Sequence, residues 1–411
     1  MKRKHLKIAI FHLAFFYSGG GEKLILEEIK ALKKNGHEVD CFSPVVEKKL
    51  CFPDIIGGYK IKSFFPRLPK IIEHQETLEI VLACLFFPFI ALKFSKYDVV
   101  LGANQPGPWF AWLVNKIAKV PYVIYLAQPT RILYPRKIDQ SEGVWLKSRA
   151  RIFPILVKLT RPFIKWIDKV SIRGAEVMLV NGSFMVRILK KVYQRDAVEC
   201  PAGANVIKKI VKNRWQGEEK VNGRNIKKPY ILITNRHFPH KRFEYAIKAM
   251  VDISKIFKDT KLIITGNYTE YTHALIKFVK DLGLQDKIVF TGFIKEEDLP
   301  RLYANACVYV YTSPEEDFGM GVIEAMGAGV PVVAWKRGGP ATTIINNKTG
   351  YLVPPYSQKE FTQRIIDLIK DKESNIIMGK NARIHVRKNY SYQRHNNLLE
   401  KTLIKVAAKD L

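Results

Sequence analysis

"VYVYTSPEEDFGMGVIEAMGAGVPVVAW", residues 308–335, contains a whole structural unit in one line. Val308–Tyr311 is a β-branched and aromatic run. Pro314 and three consecutive acids, Glu315, Glu316 and Asp317, then make a loop, and an apolar stretch of helical length follows from Met320. Gly327 and Gly329 close that stretch, and "PVVAW" opens a second short apolar run. Strand, loop, helix, strand, with both strands apolar throughout rather than alternating, is the signature of a parallel sheet covered on both faces.

The same rhythm extends in both directions. "YILITN" (230–235), "KLIITG" (261–266) and "KIVFTG" (287–292) are further buried-strand runs separated by helix-length segments. Nearer the N-terminus, "KIAIFHLA" (7–14), "YDVVLGA" (97–103), "PYVIYLA" (121–127) and "EVMLVNG" (176–182) repeat it. A helix is predicted between the first two of these, where Leu24, Ile25, Ile29 and Leu32 recur at helical spacing and Gly36 supplies the stop. A chain of 411 residues exceeds one ordinary core. The predicted fold is therefore α/β, with two doubly wound parallel-sheet domains, Rossmann-like, facing a central cleft.

The predicted boundaries are 1–204 for the N-terminal domain, 205–229 for a basic linker or hinge, 230–385 for the C-terminal domain, and 386–411 for a helical segment packing back on the N-terminal domain. Residues 205–229 hold eight Lys and Arg, few apolar residues and two glycines, which is why they read as a linker.

A formal charge of +30, spread over both halves, points to an anionic partner: a nucleic acid, a membrane surface or a phosphorylated substrate. The five cysteines are odd in number, scattered and without CxxC spacing, as reduced cytosolic residues would be. The basic start followed by an apolar stretch is interrupted by His12 and continues into a predicted helix, so it reads as part of the fold rather than as a secretory leader. "IVLACLFFPFIAL" (80–92) is the longest apolar run; at 13 residues it is shorter than the ~20 a bilayer crossing needs and predicts a buried or interfacial helix.

In doubly wound sheets ligands sit beyond the carboxyl ends of the strands, so the loops after strands are the candidate sites. The first is "YSGGGEKL" (17–24), where Gly19, Gly20 and Gly21 permit close backbone approach and a helix N-terminus can face an anion. A dinucleotide fingerprint needs a third glycine where Leu24 stands, so a NAD-type oxidoreductase is the weaker alternative. In "NRHFPHKR" (235–242), Arg236 and Lys241 are suited to a diphosphate, one as a planar fork and the other as a point charge. In the opening stretch Glu316 lies on the loop and Glu324 inside the helix, beside the backbone N–H groups of Phe318, Gly319 and Met320. Carboxylates accept hydrogen bonds from vicinal hydroxyls such as those of a sugar or ribose. A nucleic-acid-binding protein, the rival from another class, would set both acids against phosphates, so no nucleic-acid partner is expected.

With these residues assembled, the chain resembles the family 4 nucleotide-sugar-dependent glycosyltransferases of GT-B architecture over nearly its whole length. The resemblance is carried by "GGGEKLILEEIKALKKNGHEV" (19–39), "NRHFPHKR", the segment from Ile288 to Ala334 with its Glu-x-Phe-Gly-(x4)-Glu pattern, and "GGPATTIINNKTGYLVPP" (338–355). It implies a retaining hexosyltransferase, with a nucleoside-diphosphate sugar held mainly by the C-terminal domain and a glycan or lipid-linked acceptor by the N-terminal one. It further implies that Glu316 meets the sugar, Glu324 the ribose, Arg236 and Lys241 the departing diphosphate, and Gly292, Phe293 and Ile294 the base. By the same resemblance Gly19 to Gly21 close against the diphosphate, no metal is needed, and no cofactor is used because the nucleotide sugar is a substrate. The donor is left between GDP-mannose and a UDP-sugar.

Members of this family commonly carry a histidine after the strand that here reads "PYVIYLAQPTRILY", and Ala127 or Gln128 takes its place. Tyr125, Gln128 and Arg131 are the acceptor-side candidates. Tyr125–Tyr134 is also similar to the branch of mannosyltransferases that extends lipid-linked oligosaccharides. Between Arg131 and Arg173 eleven basic residues stand against three acidic ones, interleaved with Trp145, Phe153, Phe163 and Trp166. That mixture predicts peripheral binding to an anionic membrane at its cytoplasmic face.

Overall fold

The structure, a computed structural model, describes residues 5–64, 68, 75–138, 152–209, 211 and 213–408. The chain divides into two compact units, Met1–Ala202 with Gln393–Leu411, and Gly203–Tyr392.

In the first unit the strands are β1 (Lys7–His12), β2 (Ala14–Phe15), β3 (Glu38–Phe42), β4 (Val45–Val46), β5 (Ile61–Lys62), β6 (Val99–Ala103), β7 (Tyr122–Leu126), β8 (Val177–Val180) and β9 (Val198–Glu199). Among the described residues seven of them form one sheet in the order β5-β3-β1-β6-β7-β8-β9, all parallel, with β2 and β4 paired apart. The helices are α1 (Gly20–Lys34), α2 (Gln75–Ile90), α3 (Gly107–Ala118), α4 (Ile152–Arg173) and α5 (Gly182–Tyr193). The apolar spacing read in α1 puts Leu24, Ile25, Ile29 and Leu32 into the core, and Gly36 turns the chain with φ +93°. An aromatic cluster of Phe11, Phe87, Phe94 and Phe110 ties β1 to α2 and α3.

The second unit has β10 (Glu218–Val221), β11 (Arg224–Lys227), β12 (Tyr230–Thr234), β13 (Lys261–Thr265), β14 (Ile288–Gly292), β15 (Val308–Tyr311), β16 (Val332–Trp335) and β17 (Gly350–Val353). Its main sheet runs β14-β13-β12-β15-β16-β17, again parallel. The helices are α6 (Phe243–Ile256), α7 (Glu270–Asp281), α8 (Leu299–Asn305), α9 (Met320–Gly327), α10 (Pro340–Thr343), α11 (Gln358–Lys370) and α12 (Lys372–Asn389). Both sheets are doubly wound, and each has one point where the strand order reverses: between β1 and β6 in the first unit, between β12 and β15 in the second. Ligands bind such sheets at that reversal, because the loops leaving the two central strands part to opposite faces.

Two expectations about organisation meet a different picture. Residues 205–229, read as a linker, belong to the second unit and contain the antiparallel hairpin β10–β11, turned by Asn222 (φ +47°) and Gly223 (φ +80°). The division between units falls after Tyr392 rather than at 385/386, a position inside α12.

The last helix, α13 (Tyr392–Ala407), packs in the first unit through buried polar contacts. His395 Nε2 lies 2.8 Å from Glu28 Oε1, both side chains fully buried, and its Nδ1 lies 3.0 Å from the carbonyl of Pro201. Asn35 donates to Glu400 at 2.8 Å, and His37 Nε2 is 3.1 Å from the same carboxylate. Burial opposes charge on His395, but Cys200 and Glu28 beside it outweigh burial and raise its pKa to about 10.

Candidate active site

The loops at the β12/β15 reversal hold the acids and cations singled out in the sequence. β12 is buried from Tyr230 to Ile233 and ends at the half-buried Thr234; the chain then passes through Asn235–Arg242, with a short 3-10 turn at Pro239–Lys241, before α6 begins. β15 ends at Tyr311 and leads through Thr312–Gly319 into α9. Thr312 Oγ1 donates to the carbonyl of Lys241 at 2.9 Å and so joins the two loops.

Lys241 Nζ donates to Glu316 Oε2 at 2.6 Å, with the two side chains only 12% and 18% exposed. Tyr311 donates its hydroxyl to the same oxygen at 2.6 Å and receives Asn235 Nδ2 at 3.3 Å. Glu324, on the first turns of α9, accepts the Tyr303 hydroxyl at 2.9 Å, and Tyr303 contacts Thr234 Oγ1 at 2.7 Å. Burial first, and then the neighbouring carboxylate, hold Tyr311 and Tyr303 well above the usual phenol range, so both remain protonated donors. Each acid is thus aimed by a buried tyrosine. Predicted to serve the sugar and the diphosphate separately, Glu316 and Lys241 are partners of one another.

The backbone of this loop leaves little room for change. Gly338 (φ +64°) lies so close that a Cβ there would strike the backbone oxygen of Glu316, and Gly339 N–H donates to that oxygen at 2.8 Å. Gly319, in the left-handed region (φ +90°), is the N-cap of α9 and has no side chain of its own to offer the helix end, where the N–H groups at Phe318–Met320 lie. Arg236 lies on the same loop as Lys241, its guanidinium 5.4 Å from the Phe238 ring centroid. Gly292 (φ +73°) ends β14 at the edge of the sheet, Phe293 and Ile294 follow it, and Asn222 at the hairpin tip donates to the carbonyls of Thr291 and Phe293 at 2.9 and 2.8 Å.

The first unit's reversal is built differently. His12 ends β1, and Gly19 to Gly21 open α1, whose first turn carries Glu22. A Cβ on Gly19 would meet Glu22 Oε2 at 2.5 Å, so a carboxylate already lies over the glycine turn. His12 Nε2 stands 3.9 Å from Glu22 Oε1, and the imidazole is buried. After β6, Asn104 (φ +50°) accepts the N–H of Ala127 at 3.1 Å, which ties the loop after β7 to the one after β6. Arg131 Nε donates to Gln128 Oε1 at 3.4 Å. Tyr125, expected on the acceptor side, points into the core instead: its hydroxyl donates to the carbonyl of Cys200 at 2.9 Å and its ring meets His395. On a strand buried on both faces no side chain is spare for a substrate. The stretch with Trp145 lies outside the described residues, as do the side-chain surroundings of Phe153.

A family profile described as Glycosyltransferase Family 4 matches residues 18–200, and one described as Glycosyl transferases group 1 matches residues 216–385. Spore coat protein SA of Bacillus subtilis (strain 168) is 33% identical over 92% of this chain and 92% of its own. This chain is a family 4 glycosyltransferase. The glycosyltransferase is also 26% identical to the alpha-1,3/1,6-mannosyltransferase ALG2 of Dictyostelium discoideum, over 95% of this chain and 96% of that one. Among solved structures, Anabaena Alr3699/HepE in complex with UDP and glucose superposes with a TM-score of 0.72 at 19% identity, covering 97% of this chain and 99% of that one. The fold of this glycosyltransferase is accordingly GT-B.

Sequence reasoning missed Tyr303, Tyr311, Thr234 and Asn235, the residues that orient the two acids. A signal for one of them was present: in "VYVY" alternate residues share a face, so Tyr309 and Tyr311 had to point the same way.

Proposed function

We propose that this enzyme moves a hexose from a nucleoside-diphosphate donor to a hydroxyl of a glycan or lipid-linked acceptor, with retention at the anomeric carbon and without a metal. The enzyme is a hexosyltransferase. The observation that carries the finer reading is the Tyr311–Glu316–Lys241 cluster at the β12/β15 reversal.

In this reading Glu316, held by Tyr311, accepts hydrogen bonds from sugar hydroxyls, and Glu324, held by Tyr303, accepts those of the ribose. Lys241 and Arg236 meet the diphosphate, assisted by the amides of Phe318 to Met320 at the start of α9. An ammonium has three N–H donors, so Lys241 can bridge Glu316 and a phosphate oxygen together. As the bond from the anomeric carbon to the phosphate oxygen breaks, the charge left on that oxygen meets two cations already in place; each such donor contributes about 3 kcal/mol. The acceptor oxygen bonds to the anomeric carbon, and its proton passes to the departing diphosphate. Retention results when the acceptor approaches on the face from which the diphosphate leaves. Gly292 to Ile294 take the base.

The donor is either GDP-mannose or a UDP-sugar, and the name of the mannosyltransferase relative favours mannose as the sugar. In this reading the acceptor lies at the cytoplasmic face of an anionic membrane; what supports it is that Phe163 and Trp166 of α4 are exposed beside Arg161 and Lys165, and that five free cysteines suit a reducing compartment. A thermal-shift screen of GDP, UDP, their sugars and NADH tests the donor reading. One nucleoside diphosphate at a hundred times its Kd should raise Tm by about 2–4 °C. A response to NADH alone, or to none of them, contradicts it.

A further inference from the structure

Helix α2 is only half used by the fold. Its inner face is core: Ala83 and Phe87, with Ala91 and Phe94 of the 3-10 turn Ala91–Phe94 that follows, are buried, and the Phe87 ring packs on those of Phe11 and Phe110 at 5.4 and 4.5 Å. Glu79, the last charged residue before the apolar run, is also turned inward, accepting the N–H of Leu68 at 2.8 Å. The outer face is a continuous apolar stripe of Leu78, Val81, Leu85, Phe86, Phe89 and Leu92, with Leu85 60% and Phe89 82% exposed. No charged residue occurs from Ile80 to Leu92; Lys93 and Lys96, both exposed, follow at once. Isolated exposed apolar residues are ordinary in soluble proteins, but a contiguous stripe of this kind marks a surface that something covers.

Together with the turn that continues it, the segment Gln75–Phe94 is 20 residues, apolar and long enough to cross a bilayer by length and composition. It cannot both cross and hold its place, because crossing would strip Phe87 and Phe94 from the core. A helix with one face in a protein core and the other apolar lies in the membrane plane.

We infer that α2 is an insertion helix, seated in the acyl boundary of an anionic bilayer with Phe89 and Leu85 deepest and Lys93 and Lys96 at the headgroups. This rests on the membrane part of the function proposed above and names the element that enters the lipid. Continuity on the same unit supports it. α3 packs against both α2 and α4, and aromatic contacts run from Trp112 on α3 to Trp166 on α4 (6.4 Å) and on to the exposed Phe163 (5.9 Å). Charge complementarity decides between occupants. A second copy seated on the stripe would oppose two chains of +30 each, whereas anionic headgroups attract every lysine and arginine near the surface by about 1 kcal/mol.

The test is co-sedimentation of the full chain with vesicles of phosphatidylglycerol and phosphatidylcholine, or of phosphatidylcholine alone, comparing wild type with Phe89→Glu and Leu85→Glu. Expected are binding to the anionic vesicles, weak binding to the neutral ones, and at least a tenfold loss of bound protein in either variant at the same salt. The nucleotide-induced rise in Tm should be unchanged in both variants, which shows them folded and separates this inference from the donor reading. In Phe89→Trp, brominated acyl chains should quench the added indole emission. Charge variants that bind as well as wild type, or an added emission that bromine leaves untouched, overturn the insertion. A dimer seen by sedimentation velocity and dissociated by Phe89→Glu would reassign the stripe to a second copy.

Discussion

The two sheets of this enzyme reverse in the same way, yet the loops at the two reversals carry opposite chemistry. At β12/β15 two cations and two carboxylates are interleaved, each carboxylate aimed by a buried tyrosine. At β1/β6 the carboxylate of Glu22 lies over the glycine turn with a buried imidazole behind it. Topology supplies the place for a ligand in both, and the side chains decide which ligand. The second reversal suits a polyhydroxylated anion. The first sets the Glu22 carboxylate over Gly19 to Gly21, where the family resemblance puts the diphosphate.

The largest effect expected is at the second reversal. Glu316→Gln keeps the shape but gives up the charge, and should abolish sugar transfer while leaving the thermal unfolding profile in place; retained activity would break the comparison at its stronger end. Lys241→Met should lower the transfer rate about 100-fold or more through loss of charge on the leaving group, read as kcat in a steady-state assay.

Next comes stability rather than rate. His395→Gln should cost about 3–5 kcal/mol in urea unfolding, because Glu28 is left buried and unpaired. The pKa of His395, raised from 6.5 to about 10, lies above its unfolded value. The stabilisation is therefore whole below about pH 6.5 and is lost as pH rises through about 10. Wild type should lose stability across that interval, and the variant should lack the loss attributable to this group.

Smaller still, Tyr311→Phe removes a hydrogen-bond donor to Glu316 and should reduce transfer about tenfold. Glu22→Gln is the smallest and the most discriminating. If the glycine turn does meet the diphosphate, titration calorimetry should show nucleoside diphosphate binding a few-fold tighter once the opposing charge is gone, worth about 0.5–1 kcal/mol. Unchanged binding would leave the diphosphate to the second reversal alone.

Periodicity and local spacing are legible in the sequence. The apolar strand runs, the repeat in α1 and the eight-residue interval from Glu316 to Glu324 all act within a few turns of chain, and each reads correctly as structure. Contacts between distant segments are not legible. That Lys241 holds Glu316, or that His395 closes on Glu28, depends on which loops the fold brings together. Tyr125 misleads because its motif suggests a substrate role while its position on a strand buried on both faces forbids one. Residues 218–227 mislead for another reason. Asn222-Gly223 is a strong hairpin signal, with both residues at positive φ, but the density of lysine and arginine around it makes the segment read as a linker.

The central claim is that the Tyr311–Glu316–Lys241 cluster receives the donor. Its most direct test is a crystal structure of the enzyme with the nucleoside-diphosphate sugar that stabilises it most. Phosphate oxygens are expected within about 2.7–3.1 Å of Lys241 Nζ and the Arg236 guanidinium, with a sugar hydroxyl on Glu316. A nucleotide bound away from these residues, with Lys241 and Glu316 still holding only each other, would contradict it.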